Sequence, residues 1–230
     1  MSVKALILND MRLQWRYGIH AAYSVVILLY CLAFAFGGRM VPDWLVGALI
    51  YSDPSVLGYF FLGGVMLLEK GEGVRAALAV APVSAQDYLL GKVVTLTTIA
   101  LVAVLAMGLA KSGPVNWLVL LLAVALTSIF FVALGAVIAL HFKTVNGYLL
   151  GSAGLLTPII LPAAAAFLGP MPPILGLVPT IAQPRLVLVS LGFGTASAVD
   201  IIFMLAVCAA SATGAFLWAR DRLASELGRK

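Results

Sequence analysis

Charge in this chain is scarce and gathered. Of its 23 acidic and basic side chains, six lie in the 24 positions from Glu69 to Lys92: Glu69, Lys70, Glu72, Arg75, Asp87 and Lys92. Side chains of this kind, packed between two long apolar runs, cannot sit in hydrocarbon, so they form a water-exposed loop suited to ionic docking of a partner. The other reactive side chains assemble no catalytic cluster by spacing. His20 and His141 stand alone near span boundaries. Cys31 and Cys208 lie in the middle of apolar runs, as buried small residues do, and no metal-ligand spacing occurs. Asp53 precedes Pro54 and Asp200 opens the last apolar run, positions where an aspartate caps a helix. Gly91-Lys92 is the one Gly-Lys pair, and it lacks the upstream glycine and following hydroxyl of a phosphate-binding loop. The chain is therefore read as non-catalytic, and as unable to bind ATP by that route.

The residues that must position this loop are apolar. Of 230 residues, 63% are hydrophobic and 10% charged, and mean hydropathy is +1.12. Soluble domains carry about a quarter charged residues, so this is an all-α integral membrane protein. The net charge of +5 does not indicate nucleic acid, because the basic residues fall in loops without interleaved aromatics. They suit topology and attraction to anionic lipid. The N-terminus lacks the form of a signal peptide.

Six spans follow from the apolar runs: Ile19 to Phe36, Pro54 to Leu68, Tyr88 to Ala110, Asn116 to Leu140, Tyr148 to Leu168, and Asp200 to Trp218. Each approaches the ~20 residues a bilayer requires, the second being short. One side then carries eleven of the basic residues (Lys4, Arg12, Arg16, Lys70, Arg75, Lys92, Lys143, Arg220, Arg222, Arg229, Lys230) and the other three (Arg39, Lys111, Arg185). That imbalance places both termini in the cytoplasm. Residues 169–197 hold a further apolar run interrupted by Pro179, Pro184 and Arg185. Counting it as a seventh span would bury an arginine and put the basic C-terminus outside, so it is expected to be a broken, non-spanning segment on the outer side, with its backbone covered by protein.

Residues 1–17 read as an amphipathic helix lying in the membrane interface. Val3, Leu6, Ile7 and Met11 share a face, Lys4, Asp10, Arg12 and Arg16 supply the polar side, and Trp15 sits at headgroup depth. An anchor, and a lever that also touches a partner, both fit this pattern. In the loop at 69–87, Val74, Ala77, Leu78 and Ala81 fall on one helical face, Pro82 ends the helix, and Ser84 with Asp87 has capping-box spacing. Small-residue spacings at Gly147, Gly151 and Gly154 and at Ala210 and Gly214 allow close helix approach, within one subunit or across a dimer seam. Pro158 and Pro162 are expected to kink the fifth span. Phe60 and Phe61, with these prolines, are candidates for the lining of an apolar path.

The order Glu69, Lys70, Glu72, Gly73, Leu78, Val80, Pro82, Ser84, Tyr88, Lys92 resembles the loop between spans two and three of ABC-2 type exporter permeases. Gly71 and Val74 depart from the usual acid and threonine of that pattern. The layout resembles the same family throughout, and Asp10-Met11-Arg12-Leu13-Gln14-Trp15-Arg16-Tyr17-Gly18 resembles the opening of its drug-export (fluoroquinolone-type) branch. The resemblance implies one ABC-2 type transmembrane domain over 1–230. It makes the short helix in the loop a coupling helix, with Glu69, Lys70, Glu72, Gly73, Arg75, Leu78, Pro82 and Ser84 as its ATPase contact. It further implies two copies of a separate ATPase holding ATP and magnesium, and a second permease subunit, identical or a sister, around a path for an apolar or amphiphilic substrate: drug, lipid or hydrophobic peptide. The rivals are a secondary transporter, which would need ionisable groups at mid-membrane, a membrane-embedded enzyme, and a non-transporting assembly or sensor subunit.

Overall fold

Within a bilayer every backbone N–H and C=O must find its partner inside the chain, which leaves helices as the solution for apolar runs of this length. A computed structural model describes residues 3–37, 40–74, 83–169 and 172–226, and these are predominantly helical, with short loops and no strand among them. The helices are α1 (Val3–Arg16), α2 (Ile19–Gly37), α3 (Asp43–Val56), α4 (Leu62–Gly71), α5 (Ala85–Ala110), α6 (Trp117–Ala139), α7 (Val145–Ile160), α8 (Pro179–Ser190) and α9 (Ala198–Glu226). A π-helical turn, Leu57–Phe61, joins α3 to α4, and a 3-10 segment, Leu161–Phe167, prolongs α7.

Among the described residues six helical stretches are long and apolar enough to cross a membrane: Ile19–Gly37, Asp43–Gly71, Ala85–Ala110, Trp117–Ala139, Val145–Phe167 and Ala198–Glu226. The number agrees with the sequence reading, and the second span corrects it. That span begins at Asp43 and not at Pro54, because α3, the π turn and α4 run on as one stretch of 29 residues. Pro54 is an interior residue of α3. Pro54 has no N–H to offer the carbonyl of Ile50; on either side of that carbonyl, Ser52 Oγ donates to the carbonyl of Leu49 (3.1 Å) and Ser55 Oγ to that of Tyr51 (2.9 Å).

The second and fourth spans form the interior. α6 packs on α9, α5, α3, α4 and α8, while α2, α7 and α9 present most of their surface outward, where lipid would lie. Close approach at the centre rests on glycine. Gly58 in the π turn lies against the α6 backbone at Val132 and Ser128, and a Cβ on Gly135 of α6 would stand 2.5 Å from the carbonyl oxygen of Tyr59. Tyr59 is locked from the other side. Its carbonyl accepts from Tyr148 Oη, and its own hydroxyl donates to the carbonyl of Ser152 at 3.1 Å. The glycines singled out from sequence behave differently. Gly151 lies beneath the Phe142 ring, and added Cβ atoms at Gly154 and Gly214 would meet no heavy atom within 4 Å.

Within 169–197, α8 has 12 residues, a rise of about 18 Å against a hydrocarbon core of about 30 Å. It does not span. Pro179 stands in its first turn, where a missing N–H costs nothing. The helix is covered by α3, α6, α9 and the 3-10 segment, and Arg185 turns back to the carbonyls of Gly169 (3.1 Å) and Thr195 (3.4 Å).

Candidate functional site

Three elements meet where α4 ends and α5 begins: the end of the second span, the start of the third, and α1. Lys92 lies two turns inside α5 and is 4% exposed. An ammonium so buried must be paired, and Lys92 Nζ forms ion pairs with both Asp10 of α1 and Glu69 of α4. The remaining acceptor capacity is filled by neutral donors. Tyr88 Oη donates to Glu69, Thr95 Oγ1 donates to Asp10, and Gln14 Nε2 donates to Asp10 at 2.7 Å and to Thr95 Oγ1 at 3.0 Å. The unit is a single ammonium shared between two carboxylates. It ties both flanks of the 75–82 segment to the N-terminal helix.

Each residue reaches this point for a local reason. Helical spacing sets Tyr88, Lys92 and Thr95 on one face of α5, and Asp10 and Gln14 at i and i+4 on one face of α1. Ser84 starts α5 as its cap, accepting from the amide of Asp87 at 3.0 Å. Asp87 answers the capping-box spacing in a modified way, since its short side chain accepts from the Ser84 hydroxyl (2.7 Å) and not from the backbone. At the other flank α4 ends at Gly71 and the chain turns through Gly73, whose φ of +76° suits glycine. Burial, then the Glu72 carboxylate, raises the phenol of Tyr17 above its ordinary value.

The residues expected to touch an ATPase separate into groups. Glu69 is buried in the ion-pair knot, Lys70, Glu72 and Gly73 are exposed at the loop's entry, and Ser84 is exposed at its exit. Arg75, Leu78 and Pro82 lie outside the described residues. One polar residue of α1 departs from the sequence reading. Asp10, assigned to a polar side with Lys4, Arg12 and Arg16, is 4% exposed, with Gln14 at 1% beside it, whereas Arg12 and Arg16 are exposed and Leu8, Met11 and Trp15 face outward. The reason is the buried Lys92, invisible to a periodicity judged within α1 alone.

Asp53 is a second correction. It caps no helix, being interior to α3 and buried against α2, where the Tyr23 hydroxyl donates to its carboxylate. Asp200 does take part in a cap: its amide donates to Ser197 Oγ (3.1 Å), and its carboxylate accepts from the Ser197 amide (3.1 Å) and hydroxyl (2.8 Å). Of the residues proposed to line a path, Phe60 packs edge-on to Tyr59 and Tyr148 with ring centroids 5.2 and 6.5 Å apart, and Phe61 follows at the end of the π turn, half-buried. Pro158 is exposed near the end of α7, and Pro162 is half-buried where the helix tightens to 3-10 geometry. No group of histidine, cysteine and acidic residues able to hold a metal occurs among the described residues.

A family model described as the fluoroquinolones export permease protein family matches residues 2–225. Two fluoroquinolones export permease proteins, from two strains of Mycobacterium tuberculosis, are each 28% identical over 150 residues, covering 64% of this chain and 62% of theirs. No solved structure matches. With six apolar helices and a family match over nearly its whole length, this multi-pass membrane chain belongs to the fluoroquinolones export permease family, of ABC-2 type.

Proposed function

We propose that this chain is the permease half of an ATP-driven exporter of the cytoplasmic membrane. Both termini and the 69–84 loop face the cytoplasm, and two copies of a separate ATPase subunit, carrying ATP and magnesium, dock on the loops of two paired permease chains. The observation that supports this most is the Lys92 knot. The two flanks of the loop and α1 meet on one buried ammonium, so closure of two ATPases beneath the loop would be transmitted to α1, α4 and α5 together. ATP drives the cycle only through the difference in ATPase affinity between the two permease states. The printed names of the relatives point to fluoroquinolones, which agrees with an apolar or amphiphilic cargo. Phe60, Phe61, Pro158 and Pro162 stay proposed as path residues.

The test is a crosslink from Arg75→Cys, with Cys31 and Cys208 replaced, to a co-expressed candidate ATPase, with and without ATP. A specific, nucleotide-dependent product is expected. An assembled complex giving none from Arg75 or its neighbours would remove the loop as the contact. One observation favours a second reading. Asp53 is a buried carboxylate within the second span, the kind of group an ion-coupled carrier would require. Transport by the permease alone, driven by a proton gradient and abolished by Asp53→Asn, would establish that reading in place of the first.

A further inference from the structure

A cavity of about 470 Å³ lies between α1, α2 and α5, within the range of small-molecule sites. Ile27, Leu28, Ile99 and Val102 supply apolar wall, and Tyr23 and Ser24 bring hydroxyls to it. Leu28 and Val102 are more than half exposed, so the cavity opens sideways, toward lipid, and an amphiphile dissolved in the bilayer reaches it without crossing water. Behind its wall stands Asp53, held by the hydroxyl of Tyr23, which itself lines the cavity. The carboxylate is 7% exposed and forms no ion pair among the described residues. It is an interior residue of α3, ten residues from the start of that helix at Asp43, and so lies within the second span.

We propose that this groove binds an amphiphilic organic cation, with Asp53, reached through Tyr23, as its counter-charge. A buried carboxylate is unfavourable as an anion until it is paired, and otherwise takes up a proton. The cavity brings it the Tyr23 hydroxyl, and the lining holds the His20 imidazole but no ammonium or guanidinium, so a cation entering from the bilayer is the partner that would hold Asp53 ionised. Apolar walls accept the body of such a ligand and the negative charge selects its sign. An uncharged apolar solute gains only the walls, and an anion meets repulsion at low dielectric. The assignment rests on the transport reading for its purpose but not for its test, since binding is measured without any ATPase.

The purified chain in phosphatidylcholine nanodiscs is titrated by equilibrium dialysis with tetraphenylphosphonium and with tetraphenylborate, ions of nearly equal shape and opposite charge, and uptake by empty nanodiscs is subtracted. Saturable binding of the cation, at least tenfold tighter than the anion, is expected. Asp53→Asn removes that preference, Tyr23→Phe retains it, and Ser24→Trp, placed on an exposed lining position, blocks the groove. Equal binding of both ions by the native chain overturns the proposal and leaves a lipid-filled groove. Unchanged cation affinity in Asp53→Asn overturns it as well. Should Asp53→Asn fail to fold, Ser24→Trp decides, because cation binding that survives it lies elsewhere. ATP-independent cation binding without ATP-driven transport would sink the exporter reading alone, and the reverse pattern would sink this site alone.

Discussion

Lys92 concentrates the energetics of the loop in one side chain. Removing it leaves Asp10 and Glu69 facing each other in a site that holds both below one-tenth exposure. Lys92→Met is therefore expected to cost about 3–5 kcal/mol, read as a lowered Tm of the detergent-solubilised chain. Adding Asp10→Asn and Glu69→Gln to Lys92→Met is expected to recover part of that loss, because the uncompensated charge is then gone. A triple variant less stable than Lys92→Met would show that the knot is not governed by charge pairing. The sequence singled out Glu69 and Lys92 by their order along a family-like motif, but read Glu69 as an ATPase contact and not as the buried partner of Lys92. Asp10 was not legible as a partner, since an isolated helix gives no sign that its polar face will meet a cation 82 positions away. Asp53 was misread for a related reason: Asp-Pro is a strong local signal for a helix start, and here α3, packed on α6 and α8, already begins ten residues earlier at Asp43.

At the scale of elements, the second span is held by the π turn. Tyr59 sits at the crossing with α6, its backbone against Gly135, its ring stacked on Tyr148 at a centroid distance of 6.1 Å, and both its polar groups bonded to α7. A methyl group at Gly135 meets backbone, which cannot turn aside. Gly135→Ala is expected to destabilise by about 1–3 kcal/mol, whereas Gly154→Ala, with open space around it, should be neutral or gain up to about 1 kcal/mol from helix propensity. Thermal unfolding of the two variants side by side checks this, and equal Tm values would remove the crossing from the account. Hydropathy made six spans readable because exclusion of charge from hydrocarbon is a strong, local rule. The glycine contacts that set their spacing were not readable, because Gly58 and Gly135 lie far apart in the chain and resemble every other small residue in an apolar run.

At the scale of the molecule, the central second and fourth spans and the outward α2, α7 and α9 leave one architectural dependency. The N-terminal helix is joined to its neighbours through groups on the third span. Its buried partners, Lys92 and Thr95, both belong to α5. A ribosome delivers α1 first and α5 only after two complete crossings, so for that interval Asp10 has no counter-ion and α1 has no seat. Assembly is thus ordered in time: α1 is made before α4 and α5 and is the last of the three to dock. A thiol introduced by Gln14→Cys, with Cys31 and Cys208 replaced, should react freely in a chain truncated after Ser84 and be shielded in one extending through Ala110. Shielding in the shorter chain would mean that α1 docks on its own. α1 is, in this sense, a latch that closes only once the third span has arrived.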